Sequence, residues 1–113
     1  MIYGAFMGCK NLERVILSNN IQAIGKHAFE GCSNLTSINI PSSVTQIGKS
    51  AFSKCSKLTT ISIPPSVTQI GSCAFELCSS LDELRIPRGC KCGKKCFPSK
   101  CTIIYDNSNC RIS

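Results

Sequence analysis

Ten cysteines in 113 residues are the first chemistry this chain offers, and their spacing splits them into two groups. Cys9, Cys32, Cys55 and Cys78 recur every 23 residues, whereas Cys90, Cys92, Cys96, Cys101 and Cys110 crowd the C-terminal end with Cys73 near enough to join them. A thiol can pair as a disulfide, ligate a metal as its thiolate, or act as a nucleophile when a neighbouring base activates it. The C-terminal pattern, Cys-x-Cys-x3-Cys-x4-Cys-x8-Cys, lacks the Cys-x-x-Cys pairs of structural zinc sites and has no histidine nearby. Disulfides among Cys73, Cys90, Cys92, Cys96, Cys101 and Cys110, partly buried free thiols, and zinc therefore stand in that order. Disulfides would imply an oxidising compartment and would suit a terminus with little core of its own.

Catalytic constellations find little support. His27 is the single histidine, in a column whose other members are Ser50 and Cys73, and pairing it with Cys32 would require an inward thiol to face out. Gly48-Lys49-Ser50 echoes the end of a phosphate-binding loop, but that motif needs glycine at 43 and the chain has Ser43. No enzyme activity, metal or cofactor is expected.

Charge is uneven. Residues 1–84 hold six basic and five acidic groups, and residues 85–113 hold seven basic groups against Asp106 alone. Arg85, Arg88, Lys91, Lys94, Lys95 and Lys100 form either a solvated end or a patch for an anionic glycan or lipid surface. With only Tyr105 and Phe97 nearby as rings, a nucleic-acid partner is not expected. Asn34-Leu35-Thr36 is a glycosylation sequon whose middle residue falls at a core position.

The elements that carry these residues are set by a repeat. Ala-Phe recurs at Ala5-Phe6, Ala28-Phe29, Ala51-Phe52 and Ala74-Phe75, always 23 residues apart. In the same register run Leu12, Leu35, Leu58 and Leu81; Val15, Ile38, Ile61 and Leu84; Leu17, Ile40, Ile63 and Ile86; and Ile24, Ile47 and Ile70, each of these three followed by glycine. The Leu-x-x-Ile-x-Ile stretch alternates as a half-buried strand does, and Pro41, Pro64 and Pro87 stop it. The glycine suggests a tight turn, and Ala-Phe-x-x-Cys a short helical turn on the opposite side. One unit cannot bury its apolar side alone, so successive coils must stack with parallel strands about 4.8 Å apart. Stacked side chains keep the Cβ atoms of the cysteine ladder near that spacing, longer than the roughly 3.8 Å a disulfide prefers, so these four are expected as buried free thiols.

Residues 35–55, Leu-Thr-Ser-Ile-Asn-Ile-Pro-Ser-Ser-Val-Thr-Gln-Ile-Gly-Lys-Ser-Ala-Phe-Ser-Lys-Cys, resemble the BspA-type leucine-rich repeat, and the resemblance covers residues 1 to about 98. It implies a leucine-rich repeat solenoid with short parallel β-strands on the concave face and short helical or irregular segments on the convex side. It also implies binding or adhesion at a cell surface, and brings no fixed functional residues. Residues 1–86 divide into about four units, the first truncated, and 87–113 form a divergent, basic, cysteine-rich capping repeat and tail. There Arg-Gly-Cys-Lys-Cys-Gly replaces the regular stretch one residue short, Cys96-Phe97 replaces Ala-Phe, and 101–105 give a last strand.

Residues flanking the inward columns point to the concave side, which makes Arg14, Ser37, Thr60 and Glu83, with Ile16, Asn39, Ser62 and Arg85, the candidate face for a protein or glycan partner. A passive segment of a longer adhesin is the alternative. Met1 falls in the column of Ile24, so parts of Phe6, Leu12, Val15, Leu17, Ile21 and Ile24 are expected to face outward at an open edge. A second copy or preceding repeats would cover that edge, while the basic cap stays out of the contact. No apolar run approaches the roughly 20 residues of a membrane span, and the opening residues lack the basic and long apolar regions of a signal peptide.

Overall fold

The computed structural model describes residues 4–106. Among these residues nine short strands form two parallel sheets, of five and four strands, and each coil before the last contributes one strand to each sheet. The first sheet joins β1 (Arg14–Ile16), β3 (Ser37–Asn39), β5 (Thr60–Ser62), β7 (Glu83–Pro87) and β9 (Thr102–Asp106) in that order. Its register is the repeat itself, with Val15 opposite Ile38 and Ile38 opposite Ile61. Ile38, Ile61 and Leu84 are buried, flanked by the buried ladders of Leu35, Leu58 and Leu81 and of Ile40, Ile63 and Ile86.

The second sheet, β2 (Ala23–Ile24), β4 (Gln46–Ile47), β6 (Gln69–Ile70) and β8 (Lys91–Cys92), goes beyond the sequence reading. Two residues per strand are too few to show an alternation. Val44, Val67, Ile47 and Ile70 anchor it from inside, and Thr45 and Thr68 extend it outside. Each threonine donates both its N–H and its Oγ1 hydroxyl to the same carbonyl one coil back, at 2.8 and 3.2 Å for Thr45 onto Gln22.

The convex side holds turns, with no helix among the described residues. Within a unit the Cys32 N–H returns to the Phe29 carbonyl (3.2 Å), but the Phe29 N–H donates to Ala51 of the next coil (2.8 Å) and the Phe52 N–H to Ala74 (2.8 Å). Donors spent between coils are lost to any i to i+4 ladder. Left-handed residues at His27, Ser50, Cys73 and Lys95, and at Gly8, Gly31, Lys54 and Leu77, also interrupt every run. The glycine that follows Ile24, Ile47 and Ile70 does not make the turn expected of it, because the left-handed residue comes two positions later. Glycine is required there for closeness: a Cβ on Gly48, Gly71 or Gly93 would lie 2.7, 2.5 or 2.6 Å from a backbone nitrogen of the coil before.

Two ladders fill the middle. Phe6, Phe29, Phe52 and Phe75 stack with ring centroids 5.3 to 5.4 Å apart. The Cys32, Cys55 and Cys78 thiols are buried and free, and each donates to a phenylalanine carbonyl one coil back, Cys32 to Phe6 at 3.1 Å, Cys55 to Phe29 at 3.2 Å and Cys78 to Phe52 at 3.0 Å. Cysteine therefore fills a small apolar slot and also supplies a weak donor to a carbonyl.

At the N-terminal edge Leu12, Val15, Leu17 and Ile21 are half-buried and Phe6 is partly exposed, as expected, whereas Ile24 is buried, contrary to expectation. The segment from Gly4 to Gly8 lies against that coil, with the N–H groups of Gly4, Phe6 and Gly8 donating to Lys26, Ala28 and Glu30. Met1 lies outside the described residues.

Candidate binding surface

The first sheet lifts the two outward columns into rows. Arg14, Ser37 and Thr60 align, as do Ile16, Asn39, Ser62 and Arg85, and the register continues Glu83 into Thr102 and Arg85 into Ile104. All eight residues anticipated from the sequence lie on this face, seven of them exposed and Ser37 half-buried. Ile16 is 93% exposed, an isolated apolar side chain at one end of the row. Glu83 and Arg85 sit side by side (Nε to Oε1 3.7 Å) with more than half of each side chain in solvent, so the pair contributes about 0–1 kcal/mol at most.

A shallow cleft of about 390 Å³ crosses the rows between Ser37, Thr59, Thr60, Ser62, Asp82 and Arg85. Hydroxyls, the carboxylates of Asp82 and Glu83 and a guanidinium line it, a set suited to hydrogen-bonding a polar partner. Thr59, Asp82, Thr102 and Ile104 escaped the sequence reading. The signal for two of them was present, since Glu13, Thr36, Thr59 and Asp82 form a column of their own immediately before the strands.

The basic residues do not form one strip. Lys91 lies on β8, Lys94 and Lys95 follow it, Lys100 precedes β9, and all four, like Arg88, are exposed. His27 is partly exposed, with Nδ1 2.6 Å from Glu30 Oε1, while the Cys32 thiol points inward to a carbonyl.

Among the described residues the thiols of Cys73, Cys90, Cys92, Cys96 and Cys101 are free, and Cys110 lies outside them. Cys96 takes the place of alanine and is buried, its Sγ donating to the Gly71 carbonyl at 3.2 Å. Burial pushes the Cys96 thiol up to about 12 and the Cys90 thiol up to about 11, and raises Cys92 and Cys101. Cys73 is raised by partial burial and then by the Glu76 carboxylate it meets. In each case the shift favours the neutral thiol over the thiolate, the more nucleophilic form. Among the described residues no three His, Cys, Asp or Glu groups are placed to hold a metal ion.

Burial likewise raises Cys32, from 9.0 to about 11. Its thiol ionises at lower pH in the unfolded chain, so its contribution to stability is intact below about pH 9 and is lost as pH rises through about 11. The Cys32→Ser variant keeps the donor and removes the titration. Its melting temperature is expected to fall less between pH 7.5 and pH 10.5 than the parent's, and equal losses would contradict the assignment.

The sequence model of the family described as a BspA type leucine rich repeat region matches residues 2–111, in 6 copies. A leucine-rich repeat protein from Bacteroides ovatus is similar at 36% identity with a TM-score of 0.84, over 92% of this chain and 28% of that one. The leucine-rich repeat protein of T. pallidum is similar at 29% identity and a TM-score of 0.69, over 85% of this chain and 53% of that one. A leucine rich cell surface protein from Faecalibacterium prausnitzii shares the fold at 23% identity and a TM-score of 0.61, over 87% of this chain and 33% of that one. The chain thus spans between 28% and 53% of the length of these three structures. No curated protein matches it.

Proposed function

The chain belongs to the BspA-type leucine-rich repeat family, and from that premise we propose that it is a non-enzymatic interaction module that holds a protein or glycan partner on its concave strand face. One observation carries the reading. From coil to coil the inward columns stay aliphatic, while the outward rows change in size, charge and polarity, from Arg14 to Ser37, Thr60 and Glu83, and from Ile16 to Asn39, Ser62 and Arg85. A sheet that needed only solvent compatibility would tolerate one residue repeated; a varied row on a fixed scaffold suits recognition. Short side chains such as Ser37, Thr60 and Ser62 also lose little rotamer freedom on binding.

The cell-surface description of the Faecalibacterium prausnitzii protein supports a surface or extracellular location. Among the described residues no helix is long and apolar enough to cross a membrane. In this reading residues 87–106, the described part of the divergent repeat, serve as the cap of the stack, and the half-buried face of Leu12, Val15, Leu17 and Ile21 is where a preceding coil or a second copy would pack.

The test is retention on a panel of purified matrix proteins, glycans and heparin. Changing Asn39 and Ser62 together to lysine is expected to leave the circular dichroism spectrum and melting unchanged and to weaken retention about ten-fold. Retention that survives intact removes the concave assignment. Retention on heparin alone, steeply lost with salt and abolished by glutamine at Lys91, Lys94 and Lys95, would transfer the function to the basic end.

A further inference from the structure

The phenylalanine stack opens at one step. Phe75 and Phe97 are 6.5 Å apart and tilted by 13°, against 5.3 to 5.4 Å and 4 to 5° at the three steps before. The cause lies in chain length. From Phe29, Phe52 or Phe75 to the next strand of the first sheet the chain takes eight residues, and from Phe97 to Thr102 it takes five. The shortened return through Pro98, Ser99 and Lys100 cannot cover the longer return of the coil beneath it. A cleft of about 600 Å³ is left between them, walled by Leu77, Leu81, Phe97 and Pro98, with Lys95 and Lys100 on its rim.

Leu77 marks this cleft as more than a packing gap. Its column is otherwise Gly8, Gly31 and Lys54, all left-handed, and at φ 64° a leucine is the least suited of the four. Its side chain is also 60% exposed. A residue disfavoured by both backbone and solvent stands here at the mouth of an apolar recess, a place where strain can serve a ligand.

We propose that this cleft binds an acidic peptide, taking one bulky apolar side chain between Leu77 and Phe97 and its flanking carboxylates on Lys95 and Lys100. The volume falls within the roughly 300–1,000 Å³ of ligand sites. The described residues 85–106 carry six basic groups against one acidic, an excess that draws anions. Two carboxylates also line the cleft. Glu76 is met by the Cys73 thiol, and Asp82 stands at the end shared with the concave face. Among the described residues the other large exposed apolar side chains are Phe6 and Met7 on the first coil, Ile16 on β1 and Tyr105 on β9, so Leu77 belongs to a recess for one anchor and not to a broad membrane-seeking face.

The experiment is fluorescence anisotropy with the fluorescein-labelled peptide Asp-Glu-Phe-Glu-Asp on the full chain, beside Asp-Glu-Ser-Glu-Asp and Lys-Lys-Phe-Lys-Lys. The first peptide is expected to bind at least about ten-fold more tightly than either of the others. Leu77→Gly should weaken it about ten-fold while the melting temperature holds or rises, because glycine relieves the left-handed position. Lys100→Glu should weaken it as well. Absent binding of the first peptide, equal binding by Leu77→Gly, or Leu77-dependent sedimentation with phosphatidylcholine–phosphatidylserine vesicles in the absence of peptide binding would each overturn the proposal.

Discussion

Replacing Gly71 by alanine is expected to lower the free energy of unfolding by about 3 kcal/mol or more, although it adds a single methyl group. The added Cβ would stand 2.5 Å from the Lys49 nitrogen and 2.7 Å from the Gly48 carbonyl carbon. Both are backbone atoms, so no rotamer change can relieve the contact. The coils must move apart, and the hydrogen bond from the Gly71 N–H to the Ile47 carbonyl, 2.7 Å long, is the first to stretch. Urea denaturation reads the effect as a lower midpoint. Lys54→Gly serves as the reverse case, since it relieves a left-handed side chain and should hold or raise the midpoint. A midpoint unchanged in Gly71→Ala would mean that close approach of the coils contributes little.

Phe52→Ala should be of similar size, about 3–5 kcal/mol. Phe52 is fully buried and stacked on both faces, 5.4 Å from Phe29 and 5.4 Å from Phe75, so truncation opens a cavity that neither neighbour can fill without leaving its own rung. Phe6→Ala should cost clearly less, because among the described residues Phe6 has one ring neighbour, and it is 37% exposed. Equal losses at the two positions in thermal or chemical unfolding would contradict the ladder as the source of stability.

What could be read from the sequence was whatever recurs as a residue type at a fixed interval. Leucine, isoleucine, phenylalanine and cysteine at 23-residue spacing announce inward columns, and the residues between them then fall on the concave side by alternation alone. Backbone demands are less visible. Gly48 and Gly71 look like turn glycines until the coils are stacked, and only then does the close approach emerge as the reason for them. The left-handed positions hide because His27, Ser50, Cys73 and Lys95 share no residue type. Ile24 is buried in a coil to which backbone hydrogen bonds of Gly4, Phe6 and Gly8 hold the preceding segment, at Lys26, Ala28 and Glu30, and no apolar column records such bonds. The cleft at Leu77 escaped because it arises from a length difference in the last return, and the concave cleft drew Thr59 and Asp82 from a polar column that carries no hydrophobic signal.

Hydroxyl-radical footprinting in the presence of the panel member retained by the chain tests the concave assignment most directly, because exposed aliphatic and thioether side chains on different faces report independently. Ile16, 93% exposed on the first sheet, and Met7, 57% exposed on the turn side, form the comparison. Binding is expected to slow the oxidation of Ile16 and leave Met7 at its free rate. Protection of Met7 with Ile16 oxidised as fast as in the free chain would contradict a concave binding face.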